Sequence, residues 1–416
     1  MDRRTGLIGR SLPHSLSPYL HSLLGDGAYR LIELEPGELE DFILGGEWDA
    51  LNVTIPYKTA VMPFCDVLTE RARAIGSVNS LVRRGGQIIG DNTDFPGFCE
   101  MTRGISFTGR KVAVLGSGGA SKTVQAAAKS MGAREVVVIS RSGGDGEVCG
   151  YDDVSRYADA DILVNATPVG MFPNAGEAPI SLDLFGQLSA VLDLVYNPLR
   201  TRLVLDARDR GIGARGGLRM LCAQAVGARR FFGDENVADA DALERAVKRA
   251  KENVVFVGMP GSGKSTFARV IAERLKKKLI DTDAEIVKAA GMTIPEIFEK
   301  YGEAHFRELE KKAVADAASQ MGAVIATGGG SLTDRDNCLM LRSNSFIIWA
   351  DCPLSRLATA GRPLSSSPEA IAKLYRERAS VYRETADVRI AVQPDNAKNV
   401  GRIIGALEWH YKGGRA

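Results

Sequence analysis

Histidine is scarce in this chain, four residues in 416. The six cysteines (Cys65, Cys99, Cys149, Cys222, Cys338 and Cys352) are scattered and include no CxxC pair. Zinc sites need closely spaced His and Cys ligands, and disulfide scaffolds need a denser framework, so both are disfavoured. The thiols read as small buried hydrophobes in a reduced, cytosolic protein. A charge excess of one sign is also missing. Fifty-three Lys+Arg face 51 Asp+Glu, a net charge of +2, which leaves no electrostatic footprint for nucleic acid or an anionic membrane. No apolar run reaches about 18 residues, and the opening "MDRRTGLIGRSL" has charges without a hydrophobic region behind them. Neither a membrane span nor a signal peptide is expected.

What is present is an alternation of β-branched runs and amphipathic helices. Candidate strands are 111–116, 135–140, 161–166, 190–195, 254–258, 323–327 and 345–350. Such spacing predicts an α/β fold with parallel sheets covered by helices. At roughly 100–200 residues per domain, the length accommodates two to four domains. One seam is expected near Gly104–Gly109. A second falls at 242–253, "ALERAVKRAKEN", a charged helix that runs into the next strand with no Gly/Ser or Pro linker.

Two glycine-rich loops follow strands. In "KVAVLGSGGASKT", Gly116, Gly118 and Gly119, with Ser117 and Ala120 between and after them, allow a tight turn and a close backbone approach to a pyrophosphate at a helix N-terminus. The next strand ends in Ser140-Arg141-Ser142 where an NAD site would place an acid. A guanidinium beside hydroxyls suits a 2′-phosphate and favours NADP. An ordinary βαβ turn and a solvated Arg141 remain open readings of these residues alone.

Three upstream fragments gather small polar groups at strand ends. They are "SLPHSLSPYLH" with Ser15 and Ser17, "LNVTIPYKTAV" with Asn52, Thr54 and Lys58, and "GSVNSL…IIGDNTDFPGF" with Asn79 and Asp94. Together with "GSGGAS", "NATPVGM" and "GLRMLCAQA", they make the chain from about 5 to 250 resemble shikimate dehydrogenase. The resemblance implies a substrate domain, 1–104, completed by helices at about 218–250, and a Rossmann NADP-binding domain, 105–217. It implies that Lys58 and Asp94 are the catalytic pair. Ser15, Ser17, Asn52, Thr54, Asn79 and Gln224 would bind the substrate. Tyr196 and Gly217 would line the junction with the nicotinamide, and Glu70 would lie near the cofactor. Where family members often carry a second arginine beyond Arg141, this chain has Asp145, which implies a looser grip on the 2′-phosphate. Ser15 with Ser17 favours shikimate over quinate.

The second loop, "GMPGSGKST", completes GxxxxGK[ST] with Gly258, Gly263, Lys264 and Ser265. Its backbone N–H groups, including those of Gly261, Ser262 and Thr266, cradle phosphates. Lys264 reaches the β/γ oxygens and Ser265 offers a hydroxyl to Mg²⁺. Downstream come "LIDTD", "AHFRELE", "VIATGGGS", "GRPL" and "RASVY". This set is similar to shikimate kinase over 252 to about 410. By that resemblance Asp283 is the base. Arg307, Gly329 and Arg378 hold the substrate, Arg362 in a lid stabilises the transferring phosphoryl group, and Asp281 supports Mg²⁺. On sequence alone Arg307 also reads as an i,i+3/i+4 partner of Glu303 or Glu310.

The expectation is a bifunctional, cytoplasmic shikimate-pathway enzyme using NADP(H), ATP and Mg²⁺. Its partners would be small molecules, with neither nucleic acid nor membrane, and it would be a monomer or homodimer. Alternatives are a quinate-type substrate in the first half, or one inactive, regulatory half.

Overall fold

All seven apolar runs read as strands form strands in the computed structural model of this chain, which is described over residues 3–13, 15–141, 143, 148–357 and 367–414. Expected Arg362 and Asp145 lie outside the described residues, as does most of the expected lid. The chain divides into two compact units. One comprises Met1–Met171, Glu177–Tyr196 and Asp206–Glu244; the other comprises Phe172–Gly176, Asn197–Leu205 and Arg245–Ala416.

The first unit holds two sheets. Strands β1 (Thr5–Gly9), β2 (Arg30–Glu33), β3 (Ala50–Val53), β4 (Val67–Leu68), β5 (Ser80–Arg84) and β6 (Gln87–Asp91) form a mixed sheet in the order 2-1-3-5-6-4. β5 runs antiparallel to both β3 and β6. Strands β7 (Lys111–Leu115), β8 (Glu135–Ile139), β9 (Val148–Cys149), β10 (Ile162–Asn165), β11 (Ala190–Asp193) and β12 (Gly213–Arg215) form a wholly parallel sheet in the order 12-11-10-7-8-9. β7, β10 and β11 are buried along their whole length, which is why they read as unbroken apolar runs and not as alternating ones.

Behind β1 and β3 lies a buried polar cluster. The Thr5 hydroxyl donates to Asp26 at 2.6 Å, Arg229 pairs with Asp26 and with Asp234, and the His21 ring stacks on Tyr29 at 3.8 Å. Burial, reinforced by the Arg229 charge and opposed by Asp26, depresses His21 to about 3.

In the second unit β13 (Asn253–Val257), β14 (Lys278–Asp281), β15 (Ala323–Ala326), β16 (Ser345–Asp351) and β17 (Val388–Ala391) form a parallel sheet in the order 14-15-13-16-17. Helix Lys264–Leu275 lays Phe267 and Ile271 into the core built on β13 and β16. Helix Ala240–Lys251 ends two residues before β13, so the charged stretch at the seam is helical, as its pattern predicts.

The segment Asn197–Leu205 closes the amino-terminal edge of this sheet. The Arg200 guanidinium donates to the Arg342 carbonyl at 2.7 Å, the Ser345 carbonyl at 2.6 Å and Glu252 Oε1 at 3.0 Å. Its backbone N–H donates to the Ser343 carbonyl at 2.9 Å. The Glu252 side chain is 1% exposed and meets His410 Nε2 at 2.7 Å through its other oxygen. Burial pushes the Glu252 carboxyl up, but His410 and Arg200 outweigh it and hold the group below its ordinary range.

Two predictions follow from these buried groups. Arg200→Ala leaves the buried Glu252 carboxylate with His410 as its remaining partner and should destabilise the second unit by about 3 kcal/mol, read from hydrogen exchange of β13 and β16 amides in denaturant. Arg200→Lys should recover only part, because one ammonium cannot serve the guanidinium's three acceptors in a fixed fork. His21 takes up a proton in the unfolded chain near pH 6.5 but not in the folded one until about 3. Its share of stability is intact above about 6.5 and falls by about 1.4 kcal/mol per pH unit below that. Exchange of β1 and β3 amides at pH 7 and 5.5 should show that slope, and His21→Phe should remove it.

Candidate functional sites

In the first unit, turns at strand ends bring together most of the polar residues expected at a substrate site. Lys58 follows β3, and Asp94 opens helix Asp94–Met101, just after β6. They meet at 2.6 Å, Nζ to Oδ2, with side chains only 15% and 8% exposed. Thirty-six residues apart, they are paired by the antiparallel β3–β5–β6 arrangement, which returns the chain to the same end of the sheet. Helix Asp94–Met101 packs on helix Leu218–Phe232 at Gly97, where a Cβ would come within 3.1 Å of Gln224 Cβ and 3.0 Å of the Met220 carbonyl. Glycine there lets the two helices approach closely, with Gln224 one turn from Asp94.

Ser17 begins helix Ser17–Leu23, and its N–H donates to Ser15 Oγ at 3.2 Å. Thr54 sits directly after β3, its N–H on the Ile8 carbonyl. Gly9 faces it so closely that a Cβ would lie 2.7 Å from the Thr54 methyl. Burial pushes the Tyr196 phenol up, partly offset by a hydrogen bond with the backbone of Leu16, which lies between the two serines. Asn79 and Asn52 are both buried, and the Asn52 amide is taken up by Tyr29 and Ser80. Glu70 is exposed on helix Glu70–Ile75 and makes no hydrogen bond among the described residues.

The first glycine loop closes over this ground. Gly116 has φ +98°, Gly118 caps helix Gly119–Ser130, and a Cβ at Gly119 would lie 3.4 Å from Lys58 Cβ and 3.2 Å from Ser77 Oγ. The loop and helix N-terminus therefore stand directly beside the Lys58–Asp94 pair, with Ala120 in the helix's first turn. At the end of β8, Ser140 Oγ lies 3.1 Å from Ser117 Oγ, and Arg141 is exposed one residue further on. Gly217 packs on the backbone after β11, where a Cβ would lie 2.1 Å from the Leu194 carbonyl, so only glycine fits. This cradle of backbone, hydroxyls and one exposed arginine fits a dinucleotide phosphate.

In the second unit a cavity of about 610 Å³ is bordered by Gly261, Gly263, Lys264, Ser265 and Thr266 on one side and by Asp283, Arg307, Gly329 and Arg378 on the other. The loop after β13 bends through Gly258, Gly261 and Gly263 at φ +138°, +80° and +90°. Lys264 Nζ donates to the Gly258 and Met259 carbonyls at 3.0 Å, and the buried Ser262 hydroxyl has no partner among the described residues. Ser265 Oγ donates to Asp281 Oδ2 at 2.6 Å. A hydroxyl and a carboxylate converging at the mouth of a phosphate loop form a hard-oxygen donor set that fits Mg²⁺.

Arg307 is indeed the helical ion-pair partner of Glu303 and Glu310, at 2.8 and 2.6 Å, and it also borders the cavity. The two readings are not rivals: the carboxylates aim the guanidinium. Asp283 Oδ1 and Glu310 Oε1 crowd Gly328, where a Cβ would lie 2.7 and 2.8 Å from them. Arg378 Nη1 donates to the Gly329 carbonyl at 3.1 Å, and the Tyr382 hydroxyl donates to the same oxygen. Tyr382 was not among the expected residues. Its spacing of four from Arg378 places both on one helical face, the signal that could have found it.

A family model described as "Shikimate kinase" matches residues 260–408, and one described as "Shikimate dehydrogenase substrate binding domain" matches 7–81. The chain is 35% identical over 245 residues to a curated shikimate dehydrogenase (NADP(+)) of Caldanaerobacter subterraneus subsp. tengcongensis, covering 53% of this chain and 88% of that one. It is 37% identical over 266 residues to the one from Thermococcus kodakarensis, covering 58% and 96%. Among solved structures, a chorismate mutase/shikimate 5-dehydrogenase fusion protein from Clostridium acetobutylicum matches at TM-score 0.55 and 33% identity, over 60% of this chain and 98% of that one. The Thermus thermophilus shikimate 5-dehydrogenase in complex with NADP(H) and shikimate matches at 0.52 and 30%, over 59% and 99%.

Proposed function

The chain belongs to the shikimate dehydrogenase family and carries a shikimate kinase domain, and on that premise we propose how its residues divide the work of two consecutive reactions. The first is the NADPH-dependent reduction of 3-dehydroshikimate to shikimate. The second is the ATP-dependent phosphorylation of shikimate to shikimate 3-phosphate. The observation that carries this reading is the presence of both reacting sets in one chain: a Lys58–Asp94 pair beside a dinucleotide loop, and a phosphate loop sharing a cavity with Asp283, Arg307 and Arg378.

When bound, NADPH supplies the hydride, and ATP with Mg²⁺ supplies the phosphoryl group. As negative charge grows on the substrate ketone oxygen, the Lys58 ammonium stabilises it and gives up a proton from Nζ. Asp94 Oδ2 holds that ammonium in place and receives a proton in the reverse direction. Ser15 and Ser17 bind the substrate carboxylate; Thr54, Asn79 and Gln224 bind its remaining oxygens. Tyr196 and Gly217 bound the nicotinamide side, with Glu70 at its edge. Gly116, Ser117, Gly118, Gly119 and Ala120 hold the pyrophosphate, and Ser140 with Arg141 holds the 2′-phosphate.

In the kinase site Asp283 accepts the proton of the attacking hydroxyl, and Arg307 and Arg378 clamp the substrate carboxylate as charge-assisted pairs beside Gly329. Gly261, Ser262, Gly263 and Thr266 hold the phosphates, Lys264 neutralises the transferring group with Arg362, and Ser265 and Asp281 hold Mg²⁺. The functional modules are 1–104 with 218–250, 105–217, and 252–416. The assembly proposed is a monomer or a homodimer. Free thiols and a reduced pyridine nucleotide suit the cytoplasm.

In the full-length protein, Lys58→Ala or Asp94→Asn should lower 3-dehydroshikimate reduction by about 10²–10⁴-fold and leave shikimate phosphorylation within about twofold. Lys264→Ala or Asp283→Asn should do the reverse. Both rates are read on one preparation, by NADPH absorbance and by ADP release. Wild-type protein lacking either activity would refute the two-reaction reading.

A further inference from the structure

We propose that Tyr29 is a positioning residue for the dehydrogenase site, aiming the Asn79 amide at the substrate through Asn52 and Ser80. The proposal rests on the reading of Asn79 as a substrate-binding residue.

Every link in this relay is buried: Tyr29 7%, Asn52 5%, Ser80 0% and Asn79 2% exposed. The chemistry of each group fixes the direction in which the hydrogen bonds run. The Asn79 backbone carbonyl can only accept, and it lies 3.4 Å from Asn52 Nδ2. That sets the Asn52 amide with its nitrogen toward β5 and its oxygen toward Tyr29. The Tyr29 hydroxyl must then donate to Asn52 Oδ1, at 2.8 Å. Asn52 Nδ2 also donates to Ser80 Oγ at 3.1 Å, and the Ser80 hydroxyl donates onward to Asn79 Oδ1 at 3.2 Å, with Thr93 Oγ1 also 3.2 Å from Ser80 Oγ. Asn79 Oδ1 accepts as well from the Thr93 N–H at 2.7 Å and from the Thr93 hydroxyl at 3.2 Å.

With its oxygen saturated from behind, Asn79 can offer a ligand only the two N–H groups of its amide. The bound group facing it must therefore be an acceptor, a carboxylate or hydroxyl oxygen. Aligned donors in a buried chain polarise one another, so the first donor matters to the last. Tyr29 itself is held by its ring stack on His21, 3.8 Å between centroids and 12° from parallel. Asn52 thus serves the site from behind, through Asn79, and not by touching substrate.

The test uses the full-length protein, whose kinase activity reports concentration and integrity in the same tube. Tyr29→Phe removes one hydroxyl and with it the 2.8 Å hydrogen bond to Asn52 Oδ1. The dehydrogenase KM for shikimate should rise about tenfold, the size of one buried neutral hydrogen bond, with kcat within about twofold and kinase rates unchanged. Ser80→Ala, further along the relay, should give the same split. In an Asn79→Ala background, where KM is already raised, Tyr29→Phe should add less than twofold. If Asn79→Ala raises KM but Tyr29→Phe and Ser80→Ala do not, the relay is refuted while Asn79 keeps its role. If Asn79→Ala leaves KM unchanged, both the relay and the underlying reading fall. Equal losses from Tyr29→Phe in both backgrounds, or a fall in thermal stability with unchanged KM, would also overturn the relay.

Discussion

The proposed dehydrogenase site depends on one close contact, the ammonium of Lys58 against the carboxylate of Asp94. Two opposite charges at 2.6 Å, largely shielded from water, require their backbones to be held rigidly. The sheet supplies half of that rigidity by returning β6 to the end at which β3 stops. Helix packing supplies the rest: Gly97 lets helix Asp94–Met101 lie so close to helix Leu218–Phe232 that Asp94 and Gln224 share one wall. Two helices well separated in sequence are thereby brought together beside the Lys58–Asp94 pair.

Both nucleotide loops obey the same geometry. Each leaves the carboxyl end of a buried parallel strand and enters a helix whose first N–H groups have no acceptor within the helix, the natural place for phosphate oxygens. The difference lies in what stands opposite. Beside Gly119 are Lys58 and Ser77, an ammonium and a hydroxyl that suit a polar substrate oxygen. Facing Lys264 are Asp283 and two arginines, which suit a hydroxyl, a carboxylate and a moving phosphoryl group.

Much of this was legible in the residues. Buried parallel strands announce themselves as apolar runs, and the GxxxxGK[ST] loop constrains its own backbone, so both could be read in one dimension. The Arg307 ion pairs were legible because helical spacing is local. What could not be read was any contact depending on register between distant strands. Asn52 looked like a ligand residue because it sits in "LNVTIPYK", yet its amide faces inward to Tyr29 and Ser80. Nothing local distinguishes an asparagine that faces a substrate from one that faces a buried tyrosine. Tyr29, His21, Asp26 and Arg229 escaped notice for the same reason: they come from separate elements and meet only once the core has formed.

Arg200 and Glu252 have a consequence for how such a chain can change. A carboxylate sealed from water at the entrance to β13 depends on a guanidinium placed 52 residues earlier. Once that dependence exists, the two stretches are entrenched. Dividing the gene at the helical seam would leave the phosphate-loop fragment with a buried carboxylate that keeps His410 but has lost its guanidinium. A change at Glu252 made beforehand would ease that route, so the junction between segments acts as a ratchet against their separation.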